Sequence, residues 1–196
     1  MIPQIAIGSI FVVGKLVYKY YHSHKKIAVL GLKNSGKTTF QNHFRTIKHN
    51  GSTPAEGLDY DETNTFKFKK KNIIVQPGKD LPGSNEAIRN LYPEEIKNSD
   101  LIFFLFDTHK FTEDFEYKNE TRALLFFIMS KMKGQRVVLL ATHADMLLDN
   151  STESQAEIRE ELHANLIDLI DGKKVKGPIL LNLLRPEEID NTKFYF

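Results

Sequence analysis

Between residues 27 and 184 short apolar runs alternate with stretches in which apolar residues recur every three or four positions. The runs predict strands at Ile27–Leu30, Thr63–Lys69, Asn72–Val75, Leu101–Phe106, Val137–Ala141 and Ile179–Leu183, because a continuous apolar run rich in Val, Ile and Phe suits a strand covered on both faces. The periodic stretches predict helices near Thr38–Lys48, Ser84–Lys97, Phe115–Lys133 and Ser154–Leu169. Strand and helix in alternation imply an α/β fold, a mostly parallel sheet with helices on both faces. One exception is built in. The turn at Lys70-Lys71 is too short for a crossover, so the two strands it joins form an antiparallel pair and add one antiparallel edge strand.

The first residues have another pattern. From Ile2 to Val13 no side chain is charged; Lys15 and Lys19 then appear among Leu, Val and Tyr, and Tyr18, Tyr20 and Tyr21 follow the apolar run. As a helix, residues 2–21 would extend about 30 Å, the thickness of a bilayer core. Both lysines would snorkel to one interface, where the tyrosines also belong. We therefore expect an N-terminal membrane-anchor helix over residues 1–21 and a basic linker over 22–26. A single domain follows over 27–196, facing the cytoplasm because the positive charge lies on its side of the apolar run. The alternative is a hydrophobic helix packed on the domain or on a partner. A cleaved signal peptide fits poorly, with no basic region ahead of the run and no small-residue site behind it.

Composition narrows the partners. With 27 basic and 25 acidic residues the net charge is +2, too balanced to argue for nucleic acid. Lys67, Lys69, Lys70 and Lys71 read as a solvated strand edge and turn. No cysteine is present, which excludes disulfides, thiolate metal sites and a cysteine nucleophile.

The chemistry concentrates in Gly31-Leu32-Lys33-Asn34-Ser35-Gly36-Lys37-Thr38, between the first strand and the first helix. Glycines at both ends let successive backbone N–H groups converge on phosphate, with the positive end of a helix behind them. Lys37 can reach β- and γ-phosphate oxygens, and the Thr38 hydroxyl can bind Mg2+. An ordinary glycine turn beside a surface lysine does not explain why both glycines, the lysine and the threonine keep this spacing.

With Thr39 and Phe40 added, this segment resembles the phosphate loop of Arf-like small GTPases and of the β subunit of the signal recognition particle receptor, which also carries an N-terminal anchor. Thr142-His143-Ala144-Asp145, after the fifth strand counted from Ile27, is similar to the family's Asn-Lys-x-Asp guanine motif, in a Thr-His form resembling Roco GTPases. The resemblance implies GTP and GDP as ligands, with residues Gly31 to Thr39 on the phosphates. A carboxylate at Asp145 can accept both the N1–H and the exocyclic amine of guanine, a pair that adenine lacks. His143 would stack where the family keeps a lysine stem, and Thr142 would bond toward the phosphate loop.

The switch motifs depart from the family pattern. In Asn50-Gly51-Ser52-Thr53-Pro54-Ala55-Glu56-Gly57 the family's magnesium-binding threonine aligns with Ala55, and Thr53 serves only if the loop shifts register by two residues. For the Asp-x-x-Gly motif two registers compete. Val75-Gln76-Pro77-Gly78 puts valine where the acid belongs. Asp80-Leu81-Pro82-Gly83 restores the acid at the cost of an irregular insertion over residues 76–79, and is preferred. The expected magnesium ligands are thus Thr38, Thr53 and Asp80, and the groups supporting phosphate chemistry Lys37, Thr53, Asp80 and Gly83. Ser84 follows Gly83 where the family keeps a water-orienting glutamine, so slow intrinsic hydrolysis is expected unless a protein partner supplies a polar group. Asp107-Thr108-His109-Lys110 reads as a helix cap and solvated loop. Ile179–Leu184 stands where the family keeps Ser-Ala-Lys, and so offers only backbone to the base.

The expectation is a membrane-anchored guanine-nucleotide switch with a protein effector or activator. Two alternatives are a hydrolysis-deficient docking subunit and an ATP-using P-loop enzyme.

Overall fold

The computed structural model describes residues 22–43, 45, 53–54, 56–61, 63–68, 71–146, 152–170 and 175–191. The proposed anchor lies outside them; among the described residues no helix is long and apolar enough to cross a membrane.

The chain enters as β1 (His22–Lys25) and, after Lys26, continues as β2 (Ile27–Gly31) and α1 (Lys37–His43). Then come β3 (Leu58–Tyr60), β4 (Asn64–Phe68), β5 (Lys71–Val75), β6 (Gly78–Asp80), α2 (Asn85–Asn90), α3 (Tyr92–Asn98) and β7 (Leu101–Asp107). The remainder is α4 (Thr108–Glu113), α5 (Phe115–Lys131), β8 (Arg136–Thr142), a single 3-10 turn over Ala144–Met146, α6 (Thr152–Ile170), β9 (Val175–Leu181) and α7 (Pro186–Asn191).

A parallel four-stranded sheet in the order β2-β7-β8-β9 forms the centre. Successive side chains along the continuously apolar β7 point to opposite faces and are buried on both. Ile102, Phe104 and Phe106 join Tyr92, Ile96, Leu125, Leu162 and Leu166 in one core layer. Leu101, Phe103 and Leu105 join Phe40 of α1 and Ile189 of α7 in the other. Short as it is, α7 therefore helps to cover this face, with Ile189 only 3% exposed. Each buried Phe or Leu contributes about 2 kcal/mol against exposure, so this strand anchors both layers.

Four departures from expectation have local causes. Within the expected linker over 22–26, His22–Lys25 forms a strand that pairs in parallel with β5, from His22 against Asn72 to Lys25 against Val75. It is held by backbone hydrogen bonds and so needs no apolar signature. The irregular insertion over 76–79 is also a strand pair, with β6 antiparallel to β3 and Asp80 opposite Leu58. β4 pairs antiparallel with β5 as anticipated, so β3–β4 and β5–β6 act as one long hairpin interrupted at residues 76 and 77. The helix expected over Ser84–Lys97 divides at Leu91, because Pro93 lacks an N–H and is tolerated only in the first turn of a new helix. Finally, Asp107 caps α4 through Lys110 N, so the expected solvated loop is helical as far as Glu113.

A phosphate-loop cavity as the candidate functional site

β2 stops at Gly31 because the chain must turn out of the sheet beneath β7. A Cβ at Gly31 would lie 2.1 Å from the carbonyl oxygen of Leu105, which leaves room for glycine alone. Asn34 (φ 63°) and Gly36 (φ 83°) adopt left-handed conformations, and the loop then feeds α1 at Lys37. Left-handed residues among right-handed ones turn successive N–H groups toward one concave side, an anion-binding geometry. Within the loop Ser35 is fully buried and its hydroxyl has no hydrogen-bond partner among the described residues.

Lys37 is 7% exposed. Its ammonium donates to the Leu32 carbonyl at 2.7 Å. Burial lowers its pKa to about 8, with Asp80 pulling in the opposite direction. The phosphate loop is thereby closed on its own lysine. From the other side the Tyr92 hydroxyl donates to the Gly31 carbonyl at 2.8 Å and accepts from Gly31 N at 3.4 Å. That phenol is fully buried, and burial raises its pKa strongly.

Three oxygens converge at the start of α1. Thr38 Oγ1 donates to Asp80 Oδ2 at 2.6 Å, Thr53 Oγ1 donates to the same oxygen at 2.8 Å, and the two hydroxyls lie 3.1 Å apart. Gln41 Nε2 supports the acid, donating to the Lys79 carbonyl at 3.0 Å and lying 3.5 Å from Asp80 Oδ1. Two hydroxyls and one carboxylate are hard oxygen donors, the set that suits Mg2+ shared with phosphate and water. Among the described residues no cluster of three His, Cys, Asp or Glu could hold a metal by itself.

The structure therefore brings Thr38, Thr53 and Asp80 together. Of the two Asp-x-x-Gly registers, it carries Asp80 and Gly83 to the loop, whereas Val75 is buried in the core layer beside Phe40. Gly83 rests directly on the phosphate loop. A Cβ there would meet Leu32 C and Lys33 N at 2.4 Å and Gly31 O at 2.7 Å.

The base-motif residues separate. Thr142 is fully buried, and its hydroxyl lies 3.1 Å from the Ser35 carbonyl and 3.0 Å from the Phe106 carbonyl. His143 has φ 57° and places Nδ1 2.9 Å from Thr142 Oγ1 and 3.7 Å from Asp107 Oδ2. A cavity of about 590 Å³ is lined by loop residues 33, 34 and 36–39 together with Thr53, Gly83, Ser84 and His143. Asp145 is exposed and lines a different, smaller cavity of about 280 Å³ with Asn182 and Arg185. Leu183 packs onto Gly36, where an added Cβ would meet its Cδ1 at 2.1 Å. The β9 loop thus contributes a side chain to the phosphate loop, where the sequence offered only backbone.

These features have a counterpart among known proteins. The family model of the ADP-ribosylation factor (Arf) family matches residues 12–178. The chain belongs to the Arf family. The Arf-family fold is also seen in solved structures. The Arl6 (BBS3) small GTPase from Trypanosoma brucei, solved with the bound nucleotide analogue GppNp, superposes with a TM-score of 0.59 at 18% identity, over 89% of this chain and 94% of that one. The bacterial selenocysteine-specific elongation factor EF-Sec gives 0.57 at 15% identity, over 88% of this chain but 28% of the elongation factor. At such identities the likeness concerns the fold. No curated protein matches the sequence.

In this Arf-family chain Tyr92, Gln41 and Leu183 are the site residues that sequence reasoning missed. Tyr92 and Gln41 stand in no motif, and Leu183 lies in the Ile179–Leu184 segment, which was read for its backbone alone. Tyr92, beside Pro93 in a helical stretch, carried one usable hint: a buried phenol needs a polar partner.

Proposed function

We propose that this Arf-family protein binds GTP and GDP in the 590 Å³ cavity and acts as a guanine-nucleotide switch with slow intrinsic hydrolysis. The observation that carries the reading is the convergence of Thr38, Thr53 and Asp80 beside a phosphate loop that already holds Lys37 in place. Thr38 and Thr53 with Asp80 would hold Mg2+, which when bound neutralises phosphate charge. Backbone N–H groups of residues 33–38 bind the phosphates, and Lys37 leaves the Leu32 carbonyl to join them. Gly83, pressed on Leu32 and Lys33, offers its N–H at the end of the cavity where a third phosphate would lie. His143 covers the base and Asp145 selects guanine, which requires Asp145 to face the ligand rather than the smaller cavity beside Arg185.

Slow hydrolysis follows from Ser84. It stands in place of the glutamine, and its hydroxyl is engaged as the N-cap of α2, accepting from Ala87 N at 3.3 Å. The same feature favours a second reading, a docking subunit that binds GTP without turning it over. Residues 2–21 would tether the domain to a membrane with the nucleotide site on the cytoplasmic side, and a protein partner would supply the missing polar group or read the bound state.

The test is titration of fluorescent GTP, GDP and ATP analogues, with and without magnesium, on the protein and on Asp145→Asn. Magnesium-dependent binding of GTP over ATP that weakens in the variant supports the switch. Preference for ATP, or indifference to Asp145, refutes guanine specificity in favour of an ATP-using enzyme. Turnover with and without cell extract then separates the switch from the docking subunit.

A further inference from the structure

We infer that Lys33 is a specificity-determining contact to the terminal phosphate, making this chain favour the triphosphate over the diphosphate; the inference rests on the guanine-nucleotide reading above. The first ground is position. The phosphate loop has two ends with different neighbours. Ser35 and Gly36 touch Thr142 and Leu183, on the side of the base motif. Leu32 and Lys33 lie under Gly83, on the side of Asp80. A nucleotide whose base is held near His143 thus has its last phosphate toward Lys33.

The second ground is charge. Among the described residues the cavity is lined by two lysines and a histidine and by no carboxylate. Lys37 is held by the Leu32 carbonyl. Lys33 is exposed, and it has no hydrogen-bond or ion-pair partner among the described residues. Its backbone lies against Gly83, and it lines the same cavity as Thr53 and Ser84. A flexible ammonium there is a point charge suited to phosphate oxygens. A diphosphate would end short of that ammonium and a triphosphate would meet it. Because the contact is partly solvated, its effect lies at the lower end for a charge-assisted hydrogen bond, about a tenfold change in affinity.

Equilibrium binding of GDP and of a non-hydrolysable GTP analogue, measured on the full chain, on Lys33→Met and on Lys33→Arg, tests this. Lys33→Met should lose about tenfold on the analogue and less than about twofold on GDP, while Lys33→Arg keeps most of the preference. Raising salt should shrink the wild-type preference toward that of Lys33→Met. The urea unfolding midpoint of each variant reports whether the fold is intact. Equal losses on both nucleotides, or no loss on either, overturn the role of Lys33 and leave the switch reading standing. Wild-type protein that binds neither nucleotide overturns both.

Discussion

Replacing Gly83 by alanine tests the contact on which the switch side of the site depends. A Cβ at this position would lie 2.4 Å from Leu32 C, 2.4 Å from Lys33 N and 2.7 Å from Gly31 O. All three atoms are main chain, and ordinary carbon contacts begin near about 3.5 Å. Relief therefore requires the segment and the loop to separate by about 1 Å, which strains Asp80, hydrogen-bonded to Thr38, and Leu81, which is 1% exposed. Overpacking of this kind costs about 2–3 kcal/mol. Gly78→Ala is the matched control. Its Cβ would meet the end of the Arg45 side chain at 3.2 Å and the Ile27 carbonyl at 3.6 Å, a mild conflict set against the gain of about 0.5 kcal/mol from stiffening the unfolded chain. Neither glycine is among the residues of positive φ, so the pair compares space alone. Urea unfolding should show Gly83→Ala less stable by about 2 kcal/mol or more and Gly78→Ala within about 0.5 kcal/mol of the parent. Magnesium-dependent nucleotide binding should fall only in the first. Equal stability of the two variants would refute the packing argument.

Lys37 should behave as a destabilising residue kept for binding. Its folded pKa of about 8 lies below the unfolded value of about 10.4. Between these the unfolded chain holds the proton that the folded one has lost, so stability rises with pH from about 8 toward 10. The raised pKa values of Tyr92 and Tyr117 act oppositely, but only above about pH 10. After allowance for the lost bond to Leu32, Lys37→Met should stabilise the nucleotide-free protein by about 1–2 kcal/mol at pH 7, flatten the alkaline rise and abolish nucleotide binding. A variant less stable than the parent at pH 7 in urea titrations would contradict this. Tyr92→Phe removes the donor to the buried Gly31 carbonyl and should cost about 1–2 kcal/mol in the same assay; a loss below about 0.3 kcal/mol would mean that the phenol does not tie α3 to the loop. Asp80→Asn should make nucleotide affinity insensitive to magnesium, read by titration in EDTA and in magnesium buffer, and persistence of the full magnesium effect would remove Asp80 from the cation site.

The elements legible in the sequence are those whose pattern is imposed by burial on both faces. β2, β7 and β8 are apolar along nearly their whole length, and the phosphate loop is legible because its glycines and lysine are fixed by geometry. β1, reading His-Ser-His-Lys, and β6, reading Gly-Lys-Asp, are held by backbone pairing and carry no such pattern. The position of Thr53 was obscure for a related reason: its hydroxyl reaches Asp80 across 27 residues, a closure made by the hairpin and invisible to local register. The proline break at Leu91 was readable from Pro93, whereas the bond from Tyr92 to Gly31 spans 61 residues and has no local signature.

β1 and β2 are one run of chain that pairs with β5 on its way in and with β7 immediately afterwards. A pull applied at His22 runs along that strand, parallel to the ladders on both sides, so it loads their hydrogen bonds in shear, several at once, rather than peeling them singly. The strand ends at Gly31, where the phosphate loop begins. The N-terminal end of the domain is in this sense a mechanical clamp, and any tension borne by residues before it is delivered in line with the phosphate loop.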